Sequence, residues 1–398
     1  MLAAAANETV GVFGDYDADG VTTATLLSAA LDAFGMKVVT RVASRSAGYG
    51  FGVPDAQHFV DSGCTLLITG DCGTSDKVAI EAATTQGCPV IVIDHHTVPP
   101  ADEPHPALAL INPFRADSSF PFQGMASVGL SFYVMGAFRT ALRSAGHFGG
   151  TLPEPDVCSW LDLVALGTVA DLVPLSHENR IMTTEGIRRI AARTRPGIAA
   201  LLEMAGVKRA DKIDEHTIGW KLGPRLNAPG RLGDAQAAVD VLRASDRFGA
   251  QAAAQVIEVI NTERRSAQER VFKEAMVAMG DAEPGAGIVV AGEGWPHGVV
   301  GIIASRLVDL YHRPVVVIAI DPKTGEGRGS ARSFGGVNLY DALAQCAPLL
   351  DRFGGHAAAA GLTMSSEGVE ELRRAFAEAV HQQGPNRGHD YLCDAELC

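Results

Sequence analysis

The chain has no excess of positive charge: 33 lysines and arginines stand against 46 aspartates and glutamates, a net −13. A surface of that sign cannot hold nucleic acid by bulk electrostatics, so any polyanion must be met by a local basic groove. It also has no C-x-x-C pair, and its seven cysteines are an odd number. Reduced thiols in the cytosol are therefore expected, not a disulfide framework. Met1 to Asn7 contains no basic residue and only a short apolar run, so no signal peptide is expected. The most apolar stretch, Val128 to Phe138, is too short to span a bilayer. A soluble, cytoplasmic protein is expected. With 398 residues, 47% of them hydrophobic, the chain is long enough for two domains, each with its own core.

Acid is concentrated early. Gly14-Asp15-Tyr16-Asp17-Ala18-Asp19-Gly20 follows a strand-like run, Thr9–Phe13, and opens a helix-like one, Val21 to Phe34. Three carboxylates so close repel one another, and a hard divalent cation is the usual remedy: Mg²⁺, Mn²⁺ or Ca²⁺. An EF-hand needs a Glu at loop position 12 and a helix before the loop. Counted from Asp15, position 12 is Leu26, and the preceding segment reads as a strand. A metal site at a strand-to-helix turn is what remains.

Strand-like runs Val10–Phe13, Val38–Val42, Leu66–Thr69 and Val90–Ile93 alternate with helix-like segments. That alternation predicts an α/β domain with a parallel sheet covered on both faces, and ligand sites lie beyond the carboxyl ends of such strands. Asp15, Asp17 and Asp19 follow the first run, Asp71 the third and Asp94-His95-His96 the fourth, so all fall on one edge. Residues 124–245 read as mostly helical, and Asp171 alone reads as a helix cap before Pro174. From Arg180 to Arg231 eleven basic residues face five acids. Within that stretch, Pro224-Arg225-Leu226-Asn227-Ala228-Pro229-Gly230-Arg231 is expected as a rigid loop whose arginines suit phosphate. Asp246 to Gly280 contains no proline and reads as a long helix, with a break at 281–285. A second α/β pattern follows: strands at Ile288–Ala291 and Val315–Ile320, and a helix across Val299–Tyr311. The Gly-rich stretches Gly325–Ser333 and Gly354-Gly355-His356 read either as simple turns or as close backbone approaches to a phosphate.

Taken in order, these motifs resemble the DHH phosphoesterases, and among them the bacterial exonucleases specific for single strands. The matches are Gly14–Gly20, Ser44-Arg45 with Gly48-Tyr49-Gly50, Asp71-Cys72-Gly73 and Asp94-His95-His96. They continue through Ala165–Asp171, Pro224–Arg231, Trp295 with Gly298–Ile302, Gly329–Ser333 and Gly354–His356. The resemblance implies a DHH domain over 1–245, a connecting helix over 246–283 and a smaller α/β DHHA1 domain over 284–390, closing over a cleft. It implies two Mn²⁺ or Mg²⁺ ions, with Asp15 and Asp17 on one, Asp19, His95 and Asp171 on the other, and Asp71 bridging. His96 would lie beside the scissile phosphate, with Asp94 orienting a histidine. Arg45, Ser330, Arg332 and His356 would contact phosphate, and Arg225, Asn227 and Arg231 would position the strand. Implied partners are single-stranded DNA, a single-strand-binding protein and a helicase, in DNA repair and recombination.

Two departures stand out. Asp15 lies almost at the amino terminus, and the chain stops at Cys398 where such proteins usually continue into an OB-fold, whose basic groove and stacking rings hold single strands. Tight binding and processivity are therefore in question; the chemistry is not. Members of the family that cut short oligonucleotides or cyclic dinucleotides share the two-domain plan but carry a different first motif. The pyrophosphatases carry a lysine-rich carboxyl-terminal signature that is missing here. A non-catalytic replication scaffold should have lost ligands, and every expected carboxylate and histidine is present.

Overall fold

The computed structural model describes residues 8–45, 48, 50–99, 104–280 and 285–384. It opens with β1 (Thr9–Gly14), α1 (Ala18–Ala33), β2 (Lys37–Val42), α2 (Val53–Asp61), β3 (Cys64–Gly70), α3 (Lys77–Thr85) and β4 (Val90–Ile93). The four apolar runs thus form strands, and a fifth, β5 (Ala109–Ile111), adds an edge that the sequence did not announce. The order is β2-β1-β3-β4-β5 and every neighbouring pair is parallel, so all carboxyl ends share one edge.

Alternation along β1 sorts the core into two faces. Val10 and Val12 join a cluster with Leu27, Leu31 and Phe34 of the α1 region. Phe13 joins another with Phe51, Phe59, Leu67 and Val92, meeting the Phe51 and Phe59 rings edge-on at 5.0 and 6.3 Å. On the first face α4 (Ser127–Ser144) and α5 (Leu161–Ala170) pack on α1. Next come α6 (His177–Ala192), α7 (Pro196–Met204), helical turns over 215–232, α8 (Gln236–Arg243) and α9 (Arg247–Met279).

The stretch 224–231 is not the expected loop. It is helical over Gly223–Asn227 and Pro229–Leu232, after a π turn at Ile218–Leu222. Each proline occupies the first turn of its segment, where its missing N–H is harmless.

The 33 residues of α9 make a rod about 50 Å long. The chain divides into two compact units, Met1–Asn261 and Thr262–Cys398, and the division falls inside this helix. Residues 281–284, expected to break it, lie outside the described residues, as do Tyr49 and the stretch 385–390 assigned to the second domain.

The second unit holds β6 (Ile288–Glu293), α10 (His297–Tyr311), β7 (Val315–Ile320), β8 (Glu326–Arg332), α11 (Leu339–Gln345), β9 (Arg352–Gly355), β10 (Ala359–Ser365) and α12 (Val369–Gln382). Its sheet runs β6-β7-β8-β10-β9 and is parallel only between β6 and β7. Val316, Ile318, Leu343, Leu372 and Phe376 form its core with α11 and α12. The Gly-rich stretch beginning at Gly325 is largely β8, not a turn, and Gly354-Gly355 ends β9. The fold is thus α/β, a helix-flanked parallel sheet, a long helix and a smaller mixed α/β unit. No helix among the described residues is long and apolar enough to cross a membrane.

Candidate metal centre

The parallel ladder carries its acids into register. The N–H of Asp15 bonds Gly70 O at 3.3 Å and that of Asp71 bonds Ile93 O at 3.0 Å, so the ends of β1, β3 and β4 lie side by side. Asp17 caps α1, its Oδ1 accepting from the N–H groups of Asp19 and Gly20 at 3.0 and 3.1 Å. Asp19 is buried in the first turn and accepts from the backbone N–H of Ser127 and Val128, at 2.7 and 3.0 Å, the opening residues of α4. Asp71 takes a left-handed backbone, φ 63°, and accepts from Ser127 Oγ at 3.3 Å. Asp171 is the residue on which α5 ends.

These elements assemble three overlapping groups whose ligand atoms all lie within 4.8 Å of one another: Asp15, Asp17 and Asp71; Asp19, His95 and Asp171; Asp71, His95 and His96. His95 Nε2 lies 3.2 Å from Asp71, 3.6 Å from Asp171 and 3.8 Å from Asp19. Asp71 therefore belongs to two of the groups and, through His95, borders the third.

Electrostatics make the cluster unstable on its own. Burial first and the Asp17 charge second push the Asp15 carboxyl up to about 8. Burial, then Asp19 and Asp17, push Asp171 up to about 8 as well. Asp71 is raised well above the usual range by burial and by Asp19, Asp17 and Asp15. Both carboxylate oxygens of Asp15 are buried without a well-formed hydrogen bond. Orphaned, like-charged oxygens with imidazole beside them fit divalent cations such as Mn²⁺ or Mg²⁺.

Asp94 belongs to none of these groups. Its Oδ1 accepts from the backbone N–H of His95 and His96 at 2.8 and 3.1 Å and from His96 Nδ1 at 2.7 Å; its Oδ2 accepts from Thr74 N–H at 3.1 Å. Burial works against the charge on Asp94, but these bonds outweigh it and hold the carboxyl far below its ordinary range. Burial likewise opposes the His96 imidazolium, yet the bond to Asp94 and the nearby carboxylates raise it to about 9. Asn112, beyond β5, donates to His96 O at 2.8 Å and to Thr74 Oγ1 at 3.0 Å.

Behind the first acidic loop stands the segment expected to grip a strand, and its contacts are different. Arg225 Nε and Nη2 are bound to Glu258 at 2.7 and 3.2 Å, and its Nη1 donates to Lys221 O at 2.8 Å. The guanidinium expected to face phosphate is thus already in an ion pair. Asn227 Oδ1 accepts from Ala18 N–H at 2.8 Å, so this residue anchors the acidic loop. A Cβ on Gly230 would lie 2.1 Å from Tyr16 O. Arg45 donates to Gly230 O at 2.8 Å and lies over the Tyr16 ring at 4.1 Å; burial pushes the Tyr16 hydroxyl up to about 12, against the nearby charges of Arg45 and Arg231.

In the second unit, Arg332 Nη1 donates to Ser330 Oγ and to Ala331 O, both at 2.9 Å. A Cβ on Gly301 of α10 would come within 3.1 Å of both Arg332 Nη2 and Ser330 Oγ. Burial lowers the Arg332 guanidinium's pKa, and no carboxylate among the described residues forms an ion pair with it. Arg332 sits opposite Ala359, whose carbonyl accepts from the N–H of the exposed His356 at 2.8 Å.

Residues 9–168 match the model of the DHH family, N-terminal domain, and residues 285–382 match the DHHA1 domain. A single-stranded-DNA-specific exonuclease RecJ from Dickeya dadantii (strain 3937) is 38% identical over 393 residues, 95% of this chain and 67% of that protein. The chain belongs to the DHH family. A RecJ of Bacillus subtilis (strain 168) is likewise 38% identical over 92% of the DHH chain, which spans 45% of that longer protein. A crystal structure of RecJ in complex with Mn²⁺ from Thermus thermophilus superposes with a TM-score of 0.81 at 28% identity, over 97% of this chain and 54% of that one. Several residues of the centre carry no local sequence signal. Ser127, Val128 and Asn112 act through backbone, hydroxyl or amide contacts to residues far away in the chain, which no spacing rule reveals.

Proposed function

We propose that this DHH protein is a two-metal 5′→3′ exonuclease that digests single-stranded DNA to 5′-mononucleotides, in DNA repair and recombination in the cytoplasm. The carrying observation is that Asp71 borders both ligand groups, Asp15–Asp17 and Asp19–His95–Asp171, as a carboxylate shared by two ions must. The names of the RecJ relatives supply the substrate class. Asp15 and Asp17 would hold one ion, Asp19, His95 and Asp171 the other, with Mn²⁺ favoured and Mg²⁺ tolerated. Ions held there would supply an activated water and charge stabilisation for phosphodiester cleavage.

The chain's own residues do the rest. His96, held by Asp94 at 2.7 Å, presents a charged ring beside the scissile phosphate, where it can donate to a non-bridging oxygen. Arg45 and Arg231 serve phosphates near the first acidic loop. Ser330, Arg332 and His356 suit a terminal phosphate, because Arg332 is half-buried and no carboxylate among the described residues forms an ion pair with it. Arg225 and Asn227 are structural in this reading. A single-strand-binding protein and a helicase are the partners such a substrate implies.

The test is digestion, in Mn²⁺, of a 5′-phosphorylated single strand labelled at either end, beside a cyclic dinucleotide. Label should leave from the 5′ end as mononucleotide, and Asp71→Ala should lower kcat by about three orders of magnitude or more, since both ions are disturbed at once. Mononucleotides released from the 3′ end would sink the polarity, preference for the cyclic dinucleotide would replace the substrate class, and near-normal turnover of Asp71→Ala would remove the two-ion centre.

A further inference from the structure

The stretch that joins β2 to α2 carries Arg45, and its two ends are held by different parts of the first unit. At the near end the Ala43 N–H donates to Gly14 O at 2.8 Å, continuing the sheet beside the acidic loop. Arg45 itself is fixed by Gly230 O and by the Tyr16 ring, and the Gly48 N–H turns back onto Arg45 O at 3.3 Å. At the far end the Phe51 ring is buried against Phe13, and the Phe51 N–H donates to Asp76 Oδ2 at 2.8 Å.

Asp76 stands directly before α3, where an aspartate ordinarily accepts from the N–H groups of the helix's first turn. Here its side chain makes no capping bond to α3, and its ψ of 39° is far from the extended backbone of a capping residue. The carboxylate is turned to the Arg45 stretch instead. Gly50 takes a left-handed φ of 83°, and a Cβ on it would lie 2.7 and 2.8 Å from the two Asp76 oxygens. The backbone can approach so closely only because residue 50 is glycine. Burial raises the Asp76 carboxyl above its ordinary range, and the bond from Phe51 is the first of the contacts that draw it back. Asp76 thus forgoes a helix cap and full hydration for one bond to a neighbouring loop.

We infer that Asp76 positions Arg45: with the stretch pinned at Phe51 as well as at Tyr16 and Gly230, the guanidinium is set for a strand phosphate before the strand arrives. Phe51 follows Arg45 by only six positions, so fixing the second end removes much of the freedom that the first leaves. Asp76 itself contacts no phosphate in this scheme. The inference rests on Arg45 being a phosphate contact of the exonuclease proposed above.

Steady-state kinetics in Mn²⁺ on a 5′-phosphorylated single strand test it, with a melting curve for every variant. Asp76→Ala should raise KM about tenfold, the cost of ordering a long side chain and its loop on binding, with kcat changed less than about twofold. Asp76→Asn keeps an acceptor in the same place and should stay within about threefold of the parent. Amide exchange at Phe51 should quicken in Asp76→Ala and not in Asp76→Asn. The deciding measurement is the double variant: if both changes remove one contact, Arg45→Ala/Asp76→Ala should show the KM of Arg45→Ala alone. A KM that multiplies the two single effects would overturn the positioning role in favour of a general structural one. An Asn variant as poor as Ala would overturn it too. A parent inert on single strands would remove the exonuclease reading and this inference together; a parent that digests normally beside an unaltered Asp76→Ala removes only the inference.

Discussion

A carboxylate that accepts four hydrogen bonds has little left to offer an ion. Asp94 is in that position: the backbone of His95 and His96, the His96 ring and Thr74 take up its oxygens. On the same sheet edge, neither oxygen of Asp15 has a hydrogen bond among the described residues, and Asp71 meets only the Ser127 hydroxyl and the His95 ring there. The difference separates a residue that orients a histidine from residues that need a cation. Asp94→Asn keeps the shape but removes the charge behind His96, so kcat should fall about 10–100-fold with KM nearly unchanged, the usual cost of losing such a supporting partner; steady-state kinetics on an oligonucleotide would measure it. At this scale much was legible beforehand, because acids that follow successive parallel strands must meet. What spacing could not tell was which groups Arg225 and Asn227 contact. Their partners, Glu258 and Ala18, are 33 and 209 residues away in sequence, and an arginine looks the same whether it faces a phosphate or a glutamate.

Among the elements, the helical turns over 215–232 do the most to join the site together. They anchor the acidic loop through Asn227 and approach Tyr16 through Gly230. Their clasp is the Arg225–Glu258 pair, whose side chains are only 13% and 27% exposed. Arg225→Ala should destabilise the protein by about 1–3 kcal/mol, since a largely buried charge loses its partner. Arg225→Ala/Glu258→Ala should recover part of the loss in a double-mutant cycle. Strand binding should weaken without a change in its salt slope, because no phosphate contact is removed. A flatter slope with normal thermal stability would return Arg225 to the phosphate-binding set. Element types were read correctly where apolar residues recur and missed where they do not. β5 is three half-buried residues long, too short for any pattern. β8 reads in sequence as a Gly-rich turn or a backbone approach to phosphate, yet its glycines pack under neighbours: a Cβ on Gly329 would lie 2.9 Å from Leu362 and 3.1 Å from Ile318.

For the molecule as a whole, the centre ties stability to pH and to metal. In the metal-free protein Asp15 and Asp171 keep their protons up to about 8, whereas in the unfolded chain they release them near 3.8. Between those values the native state binds more protons than the unfolded state, so stability falls as pH rises through the window. Bound cations remove the penalty by making the ionised carboxylates favourable. Chelation should therefore lower Tm more at pH 8 than at pH 5, by roughly 5–10 °C. Equal shifts at the two pH values, read by calorimetry with and without chelator, would show that the carboxylates are not what the ions relieve.

Asp71 concentrates this conflict in one residue. It is buried, held in a left-handed backbone that costs about 1 kcal/mol or more for a residue with a Cβ, and surrounded by charges of its own sign. Apart from the ions it would bind, nearly every contribution it makes opposes folding. Directed evolution scored on heat resistance alone would therefore replace Asp71 early and return a robust, inert protein. A thermostable form that still works has to be selected under turnover, with metal present throughout.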